Sequence, residues 1–291
     1  MADRIAKYFY LLIDTLVSII KLFILTRKKS KLPKDLGSNS IIILGNGPSL
    51  SKTIEQHLDI LKSATTMGVN HFAKSAVYTI IKPKYYVLTA PDFWMSPPPN
   101  ELHEQARQEL FEVIKRDTTW PMTIFTSVYA RKSIMIDALS EISHVNFCFI
   151  NDNAFEGLPN ITHWIWTKGW GCPRLHNVLV PSIYLSINMG FKNIYITGAD
   201  HSWHEEMKVD ENNRFTVNHQ HFYDKGTYRL AQFKGDGSEY FIHDSFRKLY
   251  LAFKGHHLLM EYADKHNCII YNASEKSYID AYPRKLLTDF E

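Results

Sequence analysis

The chain is poor in cysteine, and what it has forms no motif. Cys148, Cys172 and Cys268 are odd in number and far apart in 291 residues, which argues against a disulfide framework and for a reducing compartment. None stands in a CxxC pair, so a cysteine-built zinc site is not expected. With 13 Gly and 12 Pro and no repeat or low-complexity tract, collagen-like and disordered chains are excluded. The usual fingerprints are missing as well. No Gly-Lys-Ser/Thr string makes a Walker loop, no GxGxxG follows a strand, and no HExxH exists.

Charge of one sign is also scarce, with a net of +3. It is unevenly spread. Residues 1–35 carry eight Lys/Arg against three acids, and the remainder carries 25 against 27. The basic balance belongs to the N-terminal arm, so no nucleic-acid partner is expected; anionic lipid fits a basic arm better. What is abundant is aromatic: 17 Phe, 16 Tyr and 6 Trp. Such rings either stack a planar or sugar-like ligand or fill an aromatic core.

Residues 8–25 read YFYLLIDTLVSIIKLFIL and are followed by Arg27, Lys28 and Lys29. Asp14 and Lys21 break the apolar run, which makes it a poor spanning segment. Lys7, Asp14, Ser18, Lys21 and Lys28 fall on one helical stripe, leaving the other faces apolar. The spacing predicts an amphipathic membrane-associating helix over 1–29, lying in the headgroup plane with its basic run on anionic lipid. Two alternatives stay open: a short transmembrane anchor, and a helix docked on the body or on a second subunit of a homo-oligomer. No small-residue cleavage site follows, so a signal peptide is disfavoured. Residues 30–39 read as a linker.

From Ser40 onward, β-branched and aromatic runs alternate with helical patterns. Strands are expected at 40–44, 65–69, 85–89, 122–126, 145–150, 193–197 and 267–272. Helices are expected at about 50–63, 101–115, 130–141, 177–190 and 244–266. This alternation predicts an α/β, Rossmann-like domain over 40–291, with a mostly parallel sheet and helices on both faces. The stretch of about 201–243 is polar, rich in His and Asn and without a period, so it reads as a His-rich lid.

Three strings carry chemistry. Gly45-Asn-Gly-Pro-Ser-Leu50 follows a strand and opens a helix. Its glycines allow close backbone approach, and Ser49 with the helix N-terminus offers donors to a phosphate. Asn70 and Asp92 end the next two strands, on the edge where ligands bind in open α/β sheets. Asn188-Met-Gly-Phe-Lys-Asn-Ile-Tyr-Ile-Thr-Gly-Ala-Asp200 ends in a second Gly-x-Asp turn, followed by His201-Ser-Trp-His204 and His219-Gln-His221. These histidines could ligate a metal with Asp200 or Asp224, although a lid supplying a general base suits them better.

The strings around Gly45–Leu50, Asn70 and Met189–Asp200 resemble those of the small bacterial CMP-sialic-acid-dependent sialyltransferases. The same core is shared by the motility-associated factor glycosyltransferases and the archaeal-type 6-hydroxymethylpterin diphosphokinases. The resemblance spans about 40–285 and is strong only at the motifs. It implies a glycosyltransferase of bacterial surface-glycan assembly, working at the cytoplasmic face with a nucleotide-sugar donor, most plausibly CMP-linked, and a glycan or glycolipid acceptor. Asn46 and Asn70 match the family's CMP-contacting asparagines, and Gly45, Gly47, Ser49, Asp92, Gly198 and Asp200 complete the expected nucleotide site. His243 matches the base by order along the chain, with His201 and His221 in reserve. Tyr223 would donate to the departing phosphate, and Lys225, Arg229 or Arg247 would neutralise it. Where the family starts a helix with Thr-Ser-Gly, this chain has Asn177-Val-Leu179. No cofactor or metal is expected on this reading. The alternative implied by the same core is a diphosphokinase using ATP and Mg²⁺ held by Asp92 and Asp200. A third reading is a tethered assembly protein that binds a nucleotide without turning it over.

Overall fold

The computed structural model describes residues 2–34, 39–98, 101–218, 228–230 and 241–290. Seven strands form one parallel sheet: β1 (Ser40–Leu44), β2 (Thr66–Val69), β3 (Tyr85–Val87), β4 (Met122–Ser127), β5 (Val145–Ile150), β6 (Asn193–Thr197) and, last in the chain, β10 (Ile269–Asn272). Their order is β10-β6-β1-β2-β3-β4-β5. β1 lies inside the sheet between β6 and β2, and every one of its residues is buried. Its unbroken run Ser-Ile-Ile-Ile-Leu is what a strand covered on both faces requires. Side chains alternate across it. Ile41 and Ile43 enter the layer under α6 (Pro159–Lys168), α7 (Leu179–Met189) and α8 (Ile242–Asp264). Ile42 and Leu44 enter the opposite layer under α2 (Leu50–Ser63), α3 (Tyr78–Ile81), α4 (Glu101–Asp117) and α5 (Ile134–Leu139).

The chain winds outward from β1 to β5, then returns to place β6 on the other side of β1. The loops after β1 and β6 therefore leave the same sheet edge in opposite senses, which opens a crevice between them. α7, nearly all buried, packs against β1, β2 and β6 and carries the return. Two features depart from expectation. Residues 159–168 form α6, and part of the polar 201–243 stretch forms a small antiparallel sheet of β7 (Met207–Val209), β8 (Phe215–Asn218) and β9 (Tyr228–Leu230). The strands are short: β7 is largely exposed, while β8 buries Phe215 and Val217 on either side of Thr216, an alternation too brief to stand out in a polar stretch.

The N-terminal helix α1 (Ala2–Leu25) is docked along the body. Leu11, Thr15, Ser18, Ile19 and Leu22 form the line that turns inward. Thr15 Oγ1 accepts from the Leu158 amide at 2.8 Å, and Ser18 Oγ accepts from the Glu156 amide at 3.1 Å. Gly157 between them has φ +136°, and a Cβ there would sit 2.1 Å from Thr15 Oγ1. Ser18, expected to face headgroups, instead faces the protein. The opposite surface is apolar and open: Phe9 is 60 % and Phe23 81 % exposed, with Ile5, Tyr8, Leu16, Ile20 and Ile24 beside them. By length and composition Arg4–Leu25 could cross a bilayer. Residues 27–31 then follow the edge strand β5, with the Ser30 amide donating to Phe149 O at 2.8 Å.

Gly157→Ala should unseat α1, because the new methyl meets Thr15 and φ +136° strains any L side chain. Limited proteolysis should cut residues 1–30 at least several-fold faster in the variant, while wild-type rates would mean that the helix is not held at this point.

Candidate functional site

A cleft of ≈ 440 Å³ opens at the crevice between β1 and β6. Its floor is a contact between two turns. The Gly45 amide donates to Thr197 O and the Gly47 amide to Gly198 O, each at 2.8 Å. Side chains would not fit. A Cβ on Gly45 would lie 2.5 Å from Gly198 O, and one on Gly47 would lie 2.1 Å from Asp200 Oδ2. Gly198, at φ +62°, faces Gly45 O in return.

Asp200 is buried at the N-terminus of α2. Its carboxylate accepts from the Ser49 amide at 3.1 Å and from Ser49 Oγ at 2.7 Å. Burial raises its pKa, and the two bonds from Ser49 oppose that rise. Ser49 was expected to offer its donors to a phosphate. They are turned instead to Asp200, which holds the helix start as an internal anion. The same loop is stitched to residues 274–278, because the Ala199 amide donates to Ser274 Oγ at 2.9 Å and the Tyr278 amide to Asp200 O at 2.9 Å. That stitching brings Lys276 to the cleft.

Around the cleft stand polar atoms that are buried and have no hydrogen-bond partner among the described residues: Asn46 Oδ1, Asn70 Oδ1, Asn177 Nδ2 and His176 Nε2. Two of the amides are oriented by their other end. Asn46 Nδ2 donates to Val69 O at 3.0 Å, so the oxygen is the free atom. Asn177 Oδ1 accepts from the Val180 amide at 3.0 Å, capping α7 and freeing the NH₂. Unpaired buried polar groups are uncommon in folded proteins and cost about 1–3 kcal/mol each. Their gathering around one cleft marks a place for a polar ligand. Asn70, at φ +47°, is aimed by its backbone, whose carbonyl accepts from Tyr86 OH at 2.7 Å.

Of the residues singled out in the sequence, Gly45, Asn46, Gly47, Asn70, Gly198, Asp200 and His201 line this cleft. Asp92 lies outside it, half-exposed and 3.9 Å from His103. His243 stands exposed on the first turn of α8, 3.7 Å from Asp244 and stacked on Phe241, and is not part of the lining. Arg247 is exposed on the same helix. His219, His221, Tyr223, Asp224 and Lys225 lie outside the described residues, as does the side chain of Arg229. Among the described residues, no group of three or more His, Cys, Asp or Glu could hold a metal ion. His71, His176, Asn177, Trp203, Glu205, Glu206 and Lys276 also line the cleft; Asn177 was noted only as a helix start that departs from the family's, and Trp203 only within the His201–His204 string. Asn177, before an apolar helical run, carried a capping signal; the others arrive through tertiary packing.

His201 is buried at φ +51°, and its Nε2 lies 2.9 Å from His256 Nε2. His256 Nδ1 in turn lies 3.0 Å from Tyr282 OH. Burial drives the pKa of His201 well down and that of His256 down to about 3. Both rings are therefore neutral near pH 7 and form a polar brace behind the cleft. Burial, then Arg174, also lowers the pKa of His176.

No family model matches this chain, and no curated protein matches it. Among solved structures, a MAf glycosyltransferase from Magnetospirillum magneticum AMB-1 is similar, with a TM-score of 0.49 at 12 % identity over 96 % of this chain. This chain spans 38 % of that protein's length.

The His201–His256 pair sets a pH dependence of stability. Unfolded, each ring takes up a proton as the pH falls through about 6.5. Folded, both resist protonation, so the unfolded state binds more protons below that pH. Their contribution is therefore full above about pH 6.5 and is lost on acidification, by up to about 1.4 kcal/mol per pH unit per histidine. The melting temperature should drop between pH 7 and pH 5, and less steeply in His256→Gln. A flat profile over that range would contradict the brace.

Proposed function

We propose that this chain is a glycosyltransferase that works at a membrane surface and holds a nucleotide-activated sugar, most plausibly CMP-linked, in the cleft between β1 and β6. The observation that carries the reading is the ring of unpaired polar atoms on Asn46, Asn70, Asn177 and His176 at the sheet's switch point. Free amide oxygens together with a free amide NH₂ suit the mixed donor–acceptor edge of a base or ribose. The motif resemblance assigns Asn46 and Asn70 to the nucleotide independently. Lys276 lines the same cleft with its ammonium paired to Glu205, and Gly45 and Gly47 let the two turns close the cleft floor beneath the ligand.

Transfer needs a group that takes the acceptor hydroxyl's proton as the nucleotide leaves. His176 fits that role best among the described histidines. It is kept neutral by its surroundings, and its Nε2 has no partner, whereas the Nε2 of His201 is already engaged by His256. The motif order along the chain also offers His243, His221 and Tyr223 for this step. The open apolar face of α1, followed by Arg27, Lys28, Lys29 and Lys31, supports attachment to anionic lipid with the helix in the bilayer plane. Thr15 and Ser18 hold mid-helix to the body, which disfavours a span. The acceptor is then a glycan or glycolipid met at that surface. Cys148, Cys172 and Cys268 are buried and unpaired, in keeping with a cytoplasmic face.

The diphosphokinase reading gains no particular support. Its two carboxylates are occupied elsewhere, Asp200 with Ser49 and Asp92 beside His103.

The test uses the full chain in detergent, since α1 completes the hydrogen bonding of loop 156–158. Thermal shifts are measured with CMP, CDP, UDP, GDP and ATP, each with and without Mg²⁺. CMP at a hundred times its Kd should stabilise by about 2.7 kcal/mol without metal. Asn46→Ala and Asn177→Ala should each weaken binding about tenfold, or about 1.4 kcal/mol. A response confined to ATP with Mg²⁺ would overturn the proposal in favour of the diphosphokinase.

A further inference from the structure

A second cavity, of ≈ 660 Å³, lies beside the first, and its lining residues are distinct from those of the cleft. Its walls come from the middle of α8 (Tyr250, Phe253, Lys254 and His257), from His204, and from the C-terminal segment at Tyr278 and Asp280. The volume falls within the roughly 300–1,000 Å³ usual for small-molecule sites. The two cavities share a wall. Glu205, which lines the cleft, accepts from Lys276 Nζ at 2.6 Å and from the hydroxyl of Tyr278, which lines the second cavity. Neighbouring residues thus face different cavities, His204 one and Glu205 the other. Behind them the His201 ring, from the cleft, meets the Phe253 ring, from the second cavity, with centroids 5.7 Å apart.

The lining says what kind of molecule fits. Tyr250, 61 % exposed, and Tyr278, 42 % exposed, present ring faces that nothing in the core requires. Phe253 adds a third ring, and His204 meets Tyr278 edge-on at 4.4 Å. At the rim His257 Nε2 and Asp280 Oδ1 are paired at 2.9 Å with both side chains still largely open to solvent, so each keeps hydrogen-bonding capacity. A phosphate would want uncompensated cations, and here His257 faces Asp280 while Lys254 stands beside the Tyr250 ring, 5.9 Å from its centroid. A purely apolar ligand would gain nothing from the paired imidazole and carboxylate. Flat rings with hydrogen-bonding groups at their edges, and little net charge, suit a sugar ring, whose C–H face is apolar and whose rim is hydroxylated.

We infer that this second cavity is the acceptor subsite and that it binds an uncharged sugar unit of the acceptor glycan against Tyr250 and Tyr278. The inference rests on the reading of the neighbouring cleft as the donor site. The shared wall then places donor and acceptor on either side of the Glu205–Lys276–Tyr278 cluster, so that an acceptor hydroxyl reaches the donor over it.

The experiment is saturation-transfer NMR on the full chain in detergent, with methyl α-D-glucopyranoside, methyl α-D-galactopyranoside and methyl N-acetyl-β-D-glucosaminide as probes and CMP titrated separately. At least one glycoside should bind. Tyr250→Ala and Asp280→Ala, both at exposed positions, should each weaken that binding at least fivefold at unchanged melting temperature and unchanged CMP response. Asn46→Ala should do the reverse. Glycoside binding that ignores Tyr250 and Asp280, or no glycoside binding by a chain that binds CMP, overturns the acceptor subsite and leaves the donor reading standing. Glycoside binding that needs Tyr250 in a chain that ignores every nucleotide keeps a sugar site here but overturns its assignment as an acceptor subsite, together with the donor reading.

Discussion

The candidate site depends on one close contact, the meeting of the turn after β1 with the turn after β6. Amides of Gly45 and Gly47 donate to carbonyls of the other turn, and no side chain can stand between them. The parallel sheet supplies the crevice by reversing its winding at β1, and the glycines let the two turns close its floor. Asp200 then neutralises the start of α2 from within, so the floor is electrostatically complete before any ligand arrives. What is left incomplete lies around it, on Asn46, Asn70, Asn177 and His176. A fold that satisfies its helix start and leaves these amides open has placed unmet hydrogen bonds where a ligand can meet them.

The surroundings extend that arrangement in two directions. Behind the cleft, the neutral His201–His256–Tyr282 chain and the stitching of Ala199 and Asp200 to residues 274–278 fix the wall that divides the two cavities. On another side, α1 holds loop 156–158 through Thr15 and Ser18, and Glu156 in that loop pairs with Arg174, two residues before His176. The N-terminal helix is thereby joined to the cleft through a short run of hydrogen bonds and one ion pair. Its apolar outer face and its role in the body are properties of the same helix, which explains why its polar positions are divided between protein and solvent.

Most of the sheet was legible because buried parallel strands read as short apolar β-branched runs. Ser40–Leu44 and Asn193–Thr197 show this most clearly. α6 was missed because Asn-Ile-Thr-His-Trp-Ile-Trp-Thr looks as much like a strand as a helix; the signals that decide are Pro159 in the first turn and Gly169 at the C-terminus, with Ile165 and Trp166 packed inward. The strands of the 201–243 stretch were missed because each is only three or four residues long, and the Phe215–Val217 alternation of β8 is a single repeat in a polar segment. Within the site, the glycine turns and Asn70 announced themselves by motif. Lys276 and Glu205 did not, since nothing local tells that residues 274–278 fold back onto Ala199. His243 was placed by its order along the chain, and order alone does not report that its ring is exposed on α8.

The central claim is that a nucleotide occupies the cleft formed by the two glycine turns. Its most direct test is a crystal structure of the full chain grown with CMP. The account expects the nucleotide between Gly45–Gly47 and Gly198–Asp200, within hydrogen-bond distance of Asn46 Oδ1 and Asn177 Nδ2. CMP bound elsewhere, with those two atoms still unpaired, would contradict it.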